Sequence, residues 1–105
     1  MRRVGWTPEA IHALADIRAY TLRTRGASAA QDIVGRLRRA TRILHEHPRI
    51  GRAGAEPGTR ELPGVHPFVI VYRTREDTPD HPGSIEILRI WHGAQDRVPD
   101  DPPAG

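Results

Sequence analysis

The chain has 105 residues, the size of one domain. All of its 16 Lys+Arg residues are Arg, against 13 acids, for a formal net charge of +3, and cysteine is absent. These figures exclude disulfide scaffolds, thiolate zinc sites and thiol nucleophiles, and no apolar run approaches the roughly eighteen residues of a membrane span. The start Met1-Arg2-Arg3-Val4-Gly5-Trp6 is basic but lacks the apolar stretch of a secretory signal, so a cytoplasmic protein is expected. The charge is uneven: residues 1–54 carry +7 and residues 55–105 carry −4. A basic first half of this kind favours an acidic partner, either nucleic acid or an acidic protein segment.

Arg2 to Trp6 reads as a short edge strand. Thr7-Pro8-Glu9 then opens a helix, with Thr7 suited to the N-cap, Pro8 to the first helical position and Glu9 to the dipole. Ala10, Ala13, Leu14, Ile17 and Thr21 recur with helical spacing as its buried stripe, widened by Ile11, Ala15 and Leu22. Gly26 ends the helix or the turn after it. Ser28 with Gln31 has the spacing of a capping box and opens a second helix. Ala30, Ile33, Val34, Leu37, Ala40, Thr41 and Leu44 form its inner stripe, and Arg36, Arg38, Arg39 and Arg42 fall mainly on the other side. Pro48 should stop this helix near His47. The two helices are expected to pair as an antiparallel hairpin.

Arg49 to Gly58 reads as a loop and Thr59 to Leu62 as a short strand, with a turn at Pro63-Gly64. His66 to Thr74 is the clearest strand: Phe68-Val69-Ile70-Val71-Tyr72 is apolar on both alternating faces, the mark of a central position. Arg75 to Gly83 is a polar hairpin loop, and Ser84 to Trp91 a last strand ended by His92-Gly93. One domain over residues 1–97 is expected, with 98–105 as a flexible Pro- and Asp-rich tail. The fold class is α+β with order β-α-α-β-β-β. A helical hairpin packs on one face of a small, mainly antiparallel sheet.

Five segments then carry a resemblance that spans nearly residues 4 to 97. They are Trp6-Thr7-Pro8-Glu9-Ala10; His47-Pro48-Arg49-Ile50-Gly51-Arg52; Pro57-Gly58-Thr59-Arg60-Glu61-Leu62; Phe68-Val69-Ile70-Val71-Tyr72-Arg73; and Ile85-Glu86-Ile87-Leu88-Arg89-Ile90-Trp91-His92-Gly93-Ala94. In order and spacing the chain resembles the RelE/ParE family of toxins from type II toxin–antitoxin modules. The resemblance implies a small cytoplasmic toxin neutralised by a cognate antitoxin from the same operon. It also implies that an antitoxin segment wraps the toxin's helices and sheet. A disordered acidic segment folding onto the basic helical half suits that expectation.

The family divides by target. RelE-like members cut mRNA on the ribosome, whereas ParE-like members bind DNA gyrase and stall it on DNA; neither route needs a metal or cofactor. Metal-free RNA cleavage needs a base, an acid and cations around the phosphorane-like state. The candidates are His92, Glu61 or Glu86, and Arg60, Arg73 and Arg89, since arginine's fork suits phosphate. Simple alternation puts Arg89 on a face with Ile85, Ile87 and Trp91, and Arg73 with Val69 and Val71. Aligned strands would cluster the three arginines on one face. Against a nuclease, Gly93 follows His92 where a Tyr often stands in the ribosome-dependent branch, and Lys is missing. The segments from Gly58 to Leu62, Tyr72-Arg73 and Leu88 to Ala94 are closer to ParE-like plasmid-stabilisation toxins. An inactive antitoxin-binding module is the third reading.

Plainer roles compete at each position. His92 can end its strand on a backbone hydrogen bond, and the strand arginines can pair with Glu61, Glu76 and Glu86 across strands. His45 and His47 complement the second helix's dipole. His45-Glu46-His47 invites a zinc reading, but side chains two apart point to different helix sides, so no metal site is expected. Arg36, Arg38, Arg39 and Arg42, with Trp6 and Trp91, are the candidate partner-binding residues.

Overall fold

The computed structural model describes residues 3–75 and 83–92. The elements are β1 (Arg3–Trp6), α1 (Pro8–Arg25), α2 (Ala27–Arg42), a 3-10 turn (Ile43–His45), β2 (Arg52–Ala53), β3 (Arg60–Val65), β4 (Phe68–Arg75) and β5 (Ser84–His92). They form one five-stranded sheet in the order β1-β5-β4-β3-β2. β1 runs parallel to β5, and the other pairings are antiparallel. The helical hairpin covers one face. The α+β architecture expected from the sequence is the one observed, with β4 central and β1 at an edge. The loop expected over 49–58 contains the two-residue strand β2, too short to leave a periodic signal. Most of the hairpin loop expected over 75–83 (residues 76–82), the last residues of the expected domain (93–97) and the expected tail over 98–105 lie outside the described residues.

α1 begins as its sequence dictates. Thr7 is extended and its Oγ1 accepts from the Ala10 backbone N–H at 3.1 Å. The same hydroxyl donates to the Leu88 carbonyl at 2.9 Å, and the Thr7 N–H donates to the Ile87 carbonyl at 3.0 Å. One residue thus caps the helix and fastens it to β5. The inner stripe of α1 is Ala10 and Leu14, with Ala13, Ile17 and Thr21 half-buried. Ile11, Ala15 and Leu22, expected to widen that stripe, are exposed instead, because the hairpin partner and the sheet occupy only about one side of the helix.

The junction between the helices is a single residue. Gly26 sits at φ 94°, ends α1 with its N–H on the Leu22 carbonyl (3.1 Å), and opens α2 by accepting from Ala30 (3.1 Å). Positive φ favours glycine. The capping box expected at Ser28 and Gln31 does not form: Ser28 lies inside the first turn, and α2 has no side-chain cap. α2 proper ends at Arg42, five residues before His47, and tightens into the 3-10 turn. Leu37, Thr41 and Leu44 are buried beneath it, while Arg36, Arg38, Arg39 and Arg42 are exposed as the periodicity requires.

Two irregularities decide which residues share a face. Leu62 pairs with Ile70 but Val65 pairs with Phe68, so Pro63-Gly64 is a bulge within β3, not the expected turn. The reversal falls at His66-Pro67, two residues later. In β5, Ile87 pairs with Tyr72 and Arg89 with Val71, which leaves Leu88 as the extra residue. Ile85, Ile87 and Ile90 therefore all enter the core with Leu62, Val65, Ile70 and Tyr72, against Ala10, Leu14, Leu37 and Leu44 from the helical side. At about 25 cal/mol per Å² of apolar area, this layer is the main stabilising term.

Candidate functional site

Three surfaces hold the residues singled out by the sequence. The first is the outer face of α2. Arg38, Arg39 and Arg42 lie there in the open, and Arg36 is held at 3.9 Å from Asp32 one turn back. At 100° per residue these four side chains spread over the side opposite Leu37. Arg39 and Arg42 also sit in the last turn, where a cation complements the carbonyl end of the dipole.

The second is a groove of ≈ 780 Å³ between the hairpin and the far ends of β4 and β5. Ile17, Tyr20, Ile33, Phe68 and Ile90 give it apolar walls, and Arg36 and His92 reach it as well. Tyr20 is 61% exposed there, a large aromatic left in water. Arg36 thus belongs to both the arginine stripe and the groove. His92 packs edge-on to Phe68, with centroids 5.6 Å apart.

The third is the sheet face away from the helices. Register places Arg52, Glu61, Val71 and Arg89 in one row across four strands, with Arg73 and Glu86 in the next. Each charge has a protein contact. Arg52 donates Nε to Glu61 Oε1 at 3.3 Å, with Nη2 at 3.2 Å, and Glu61 is 2% exposed. Arg73 contacts Glu86 at 3.2 Å. Arg89 reaches Glu9 of α1 and Glu56 of the β2–β3 loop, both at 3.6 Å, and lies 5.9 Å from the Trp91 ring centroid.

The expected clustering of Arg60, Arg73 and Arg89 does not occur. The Leu88 bulge moves Arg89, together with Trp91, off the face of Ile85 and Ile87 and onto that of Glu86. Arg60 pairs with Tyr72, which places it on the helix-covered side. There it donates to the Gly51 carbonyl at 2.8 Å and to the Arg49 carbonyl at 3.3 Å, pinning the loop before β2. His92 also lies on the helix side, opposite to Arg73, Arg89 and Glu61. Trp6 is half-buried against the core, and Trp91 is half-buried on the open face beside Val69.

One polar residue at this centre was not anticipated. Tyr72 is fully buried, accepts from the Gly51 N–H at 2.9 Å and donates to the Pro48 carbonyl at 2.9 Å. Burial raises its pKa above 10.0, against smaller lowering effects from the Gly51 hydrogen bond and the Arg60 charge. A tyrosine at the end of the apolar run Phe68-Val69-Ile70-Val71, with His47-Pro48 some two dozen residues earlier, is the available signal. Among the described residues no group of three or more His, Cys, Asp or Glu could hold a metal ion. Nor is any helix there long and apolar enough to cross a membrane.

Comparison with curated proteins by sequence gives no significant match. A chain of the chromosomal ParDE TA system from P. aeruginosa is similar in structure, with TM-score 0.76 and 25% sequence identity. The alignment covers 88% of this chain and 96% of that one. The model of the ParE toxin of type II toxin-antitoxin system, parDE, matches residues 4–97, nearly the whole chain. With its hairpin, five-stranded sheet and five signature segments in place, this chain belongs to the ParE toxin family of type II toxin–antitoxin systems.

Proposed function

We propose that this toxin inhibits growth by binding DNA gyrase in the cytoplasm, and that a cognate antitoxin silences it from the helical side. The observation that carries the reading is the family match over residues 4–97. The geometry supports it against ribosome-dependent mRNA cleavage. His92 and Arg60 lie on the helix side of the sheet, whereas Arg73, Arg89 and Glu61 lie on the other. His92 then does not share a face with Arg73, Arg89 and Glu61, so that set does not converge on one phosphate, and Arg60, Arg73 and Arg89 each already have a protein contact. A toxin that acts by occupying a partner needs no such convergence.

For the antitoxin, the stripe of Arg36, Arg38, Arg39 and Arg42 supplies charge, and the groove beside it supplies apolar contact. Arg36 joins the two. An acidic, amphipathic segment ordering on this surface buries Tyr20 and Ile17 while its carboxylates meet the stripe. Purified toxin added to gyrase and relaxed plasmid is expected to block supercoiling, and antitoxin is expected to restore it. Full supercoiling at large molar excess of toxin would refute gyrase as the target. New codon-boundary cuts in translated mRNA, abolished by His92→Ala, would establish the nuclease instead.

A further inference from the structure

The open sheet face has a third charged row, at the end of the sheet away from Trp91. Arg3 of β1 pairs with Ser84 of β5, and Ser84 pairs with Arg75 of β4. Side chains alternate along a strand, so residues in register point to the same side. Arg73 and Glu86, two positions along on β4 and β5, fix that side as the one away from the helices. Strands are about 4.8 Å apart, so Ser84 lies midway between two arginines about 10 Å apart at Cα. Arg3 and Arg75 are exposed, and neither belongs to an ion pair among the described residues. Among the described residues, the acid in the adjoining row of this face, Glu86, is already matched by Arg73 at 3.2 Å.

We propose that Arg3, Ser84 and Arg75 form a phosphate-binding row for the backbone of duplex DNA. Two guanidinium forks flanking one hydroxyl supply donors to the two non-bridging oxygens of a phosphodiester. A duplex hides its bases and presents phosphates, which is what a row of donors without an aromatic can use; single strands call for stacking surfaces. Trp91, the aromatic of this face, lies at the opposite end beside Arg89. An acidic peptide fits less well, because the apolar anchors of this face, Val69 and Val71, are also at the far end and are buried. The row is on the opposite side of the sheet from α2, so an antitoxin seated on the helices leaves it open. The inference does not depend on gyrase being the target.

The test is a fluorescence anisotropy titration of labelled duplex DNA of arbitrary sequence with the full-length toxin, from about 50 to 200 mM salt. Dissociation constants in the range of about 10⁻⁴ to 10⁻⁶ M are expected near physiological salt. Each phosphate contact contributes about −0.9 to the log–log salt slope. The R3S/R75S double variant, which removes that one contact, should therefore flatten the slope by about 0.9, and lose about 3.5-fold less affinity than the parent across that salt range. R3K/R75K should recover most of the slope, which separates charge from folding. The R38S/R39S variant of α2 should leave the R3S/R75S effect intact. No DNA binding by the parent, or an unchanged slope in R3S/R75S, would overturn the proposal. So would a labelled polyglutamate peptide that loses affinity on R3S/R75S while DNA does not.

Discussion

Tyr72→Phe removes one oxygen atom and two hydrogen bonds from the middle of the molecule. The hydroxyl is the acceptor for the Gly51 N–H and the donor to the Pro48 carbonyl, both at 2.9 Å. Tyr72 is 0% exposed and Gly51 is buried, so no water replaces the lost acceptor. A buried N–H left without a partner costs about 1–3 kcal/mol. The Pro48 carbonyl is half-buried and partly reachable by water, so it adds less. Together the loss is about 2–3 kcal/mol, which for a domain this size lowers Tm by about 10–20 °C. Urea denaturation with a shared m-value, alongside a thermal melt, measures it; Tyr20→Phe, at an exposed tyrosine, is the control. The pH dependence gives a second reading. Burial raises the pKa of Tyr72, so its share of stability is fully present below about pH 10 and is lost as pH rises through the folded value. The gap between parent and variant should therefore hold steady below pH 10 and narrow above it. A loss under about 0.5 kcal/mol would refute the argument that this hydroxyl holds the Pro48–Gly51 loop.

Thr7→Ala should destabilise by about 1–2 kcal/mol, since it removes both the α1 cap and the bond to Leu88; amide exchange at Ala10 should accelerate. Gly51→Ala would place a Cβ 2.7 Å from the Glu61 carbonyl oxygen and 2.8 Å from the Tyr72 ring and hydroxyl. Because backbone is one of the obstacles, a loss of about 1–3 kcal/mol is expected in a denaturant titration. Arg38→Glu with Arg39→Glu should weaken antitoxin binding tenfold or more, by about 1.4 kcal/mol or above, with melting temperature nearly unchanged; calorimetry of the complex checks this. An unaltered affinity would place the antitoxin elsewhere.

Thr7-Pro8-Glu9, the periodic stripes of both helices and the apolar run from Phe68 to Tyr72 were legible because they obey local rules. Capping chemistry, a 3.6-residue period and burial on both faces each show within a few residues. The outward arginines of α2 follow from the same period. The family was legible too, since its segments recur in fixed order over most of the chain. The capping box at Ser28 was misread because Gly26 alone bridges the helices, a matter of backbone geometry that a spacing rule does not see.

Faces of the sheet were decided only in three dimensions. One extra residue, Leu88, reverses the alternation for the rest of β5, and so settles that Arg89 and Trp91 leave the face of Ile85 and Ile87 for that of Glu86. No local preference marks that residue; the bulge exists where β5 must meet β4 on one side and Thr7 on the other. The sequence by itself determined the helical hairpin, the central strand, the charged stripe and the family. Tertiary structure alone decided which arginines share a surface, because a side chain's face depends on strand register, and register is a property of two strands at once.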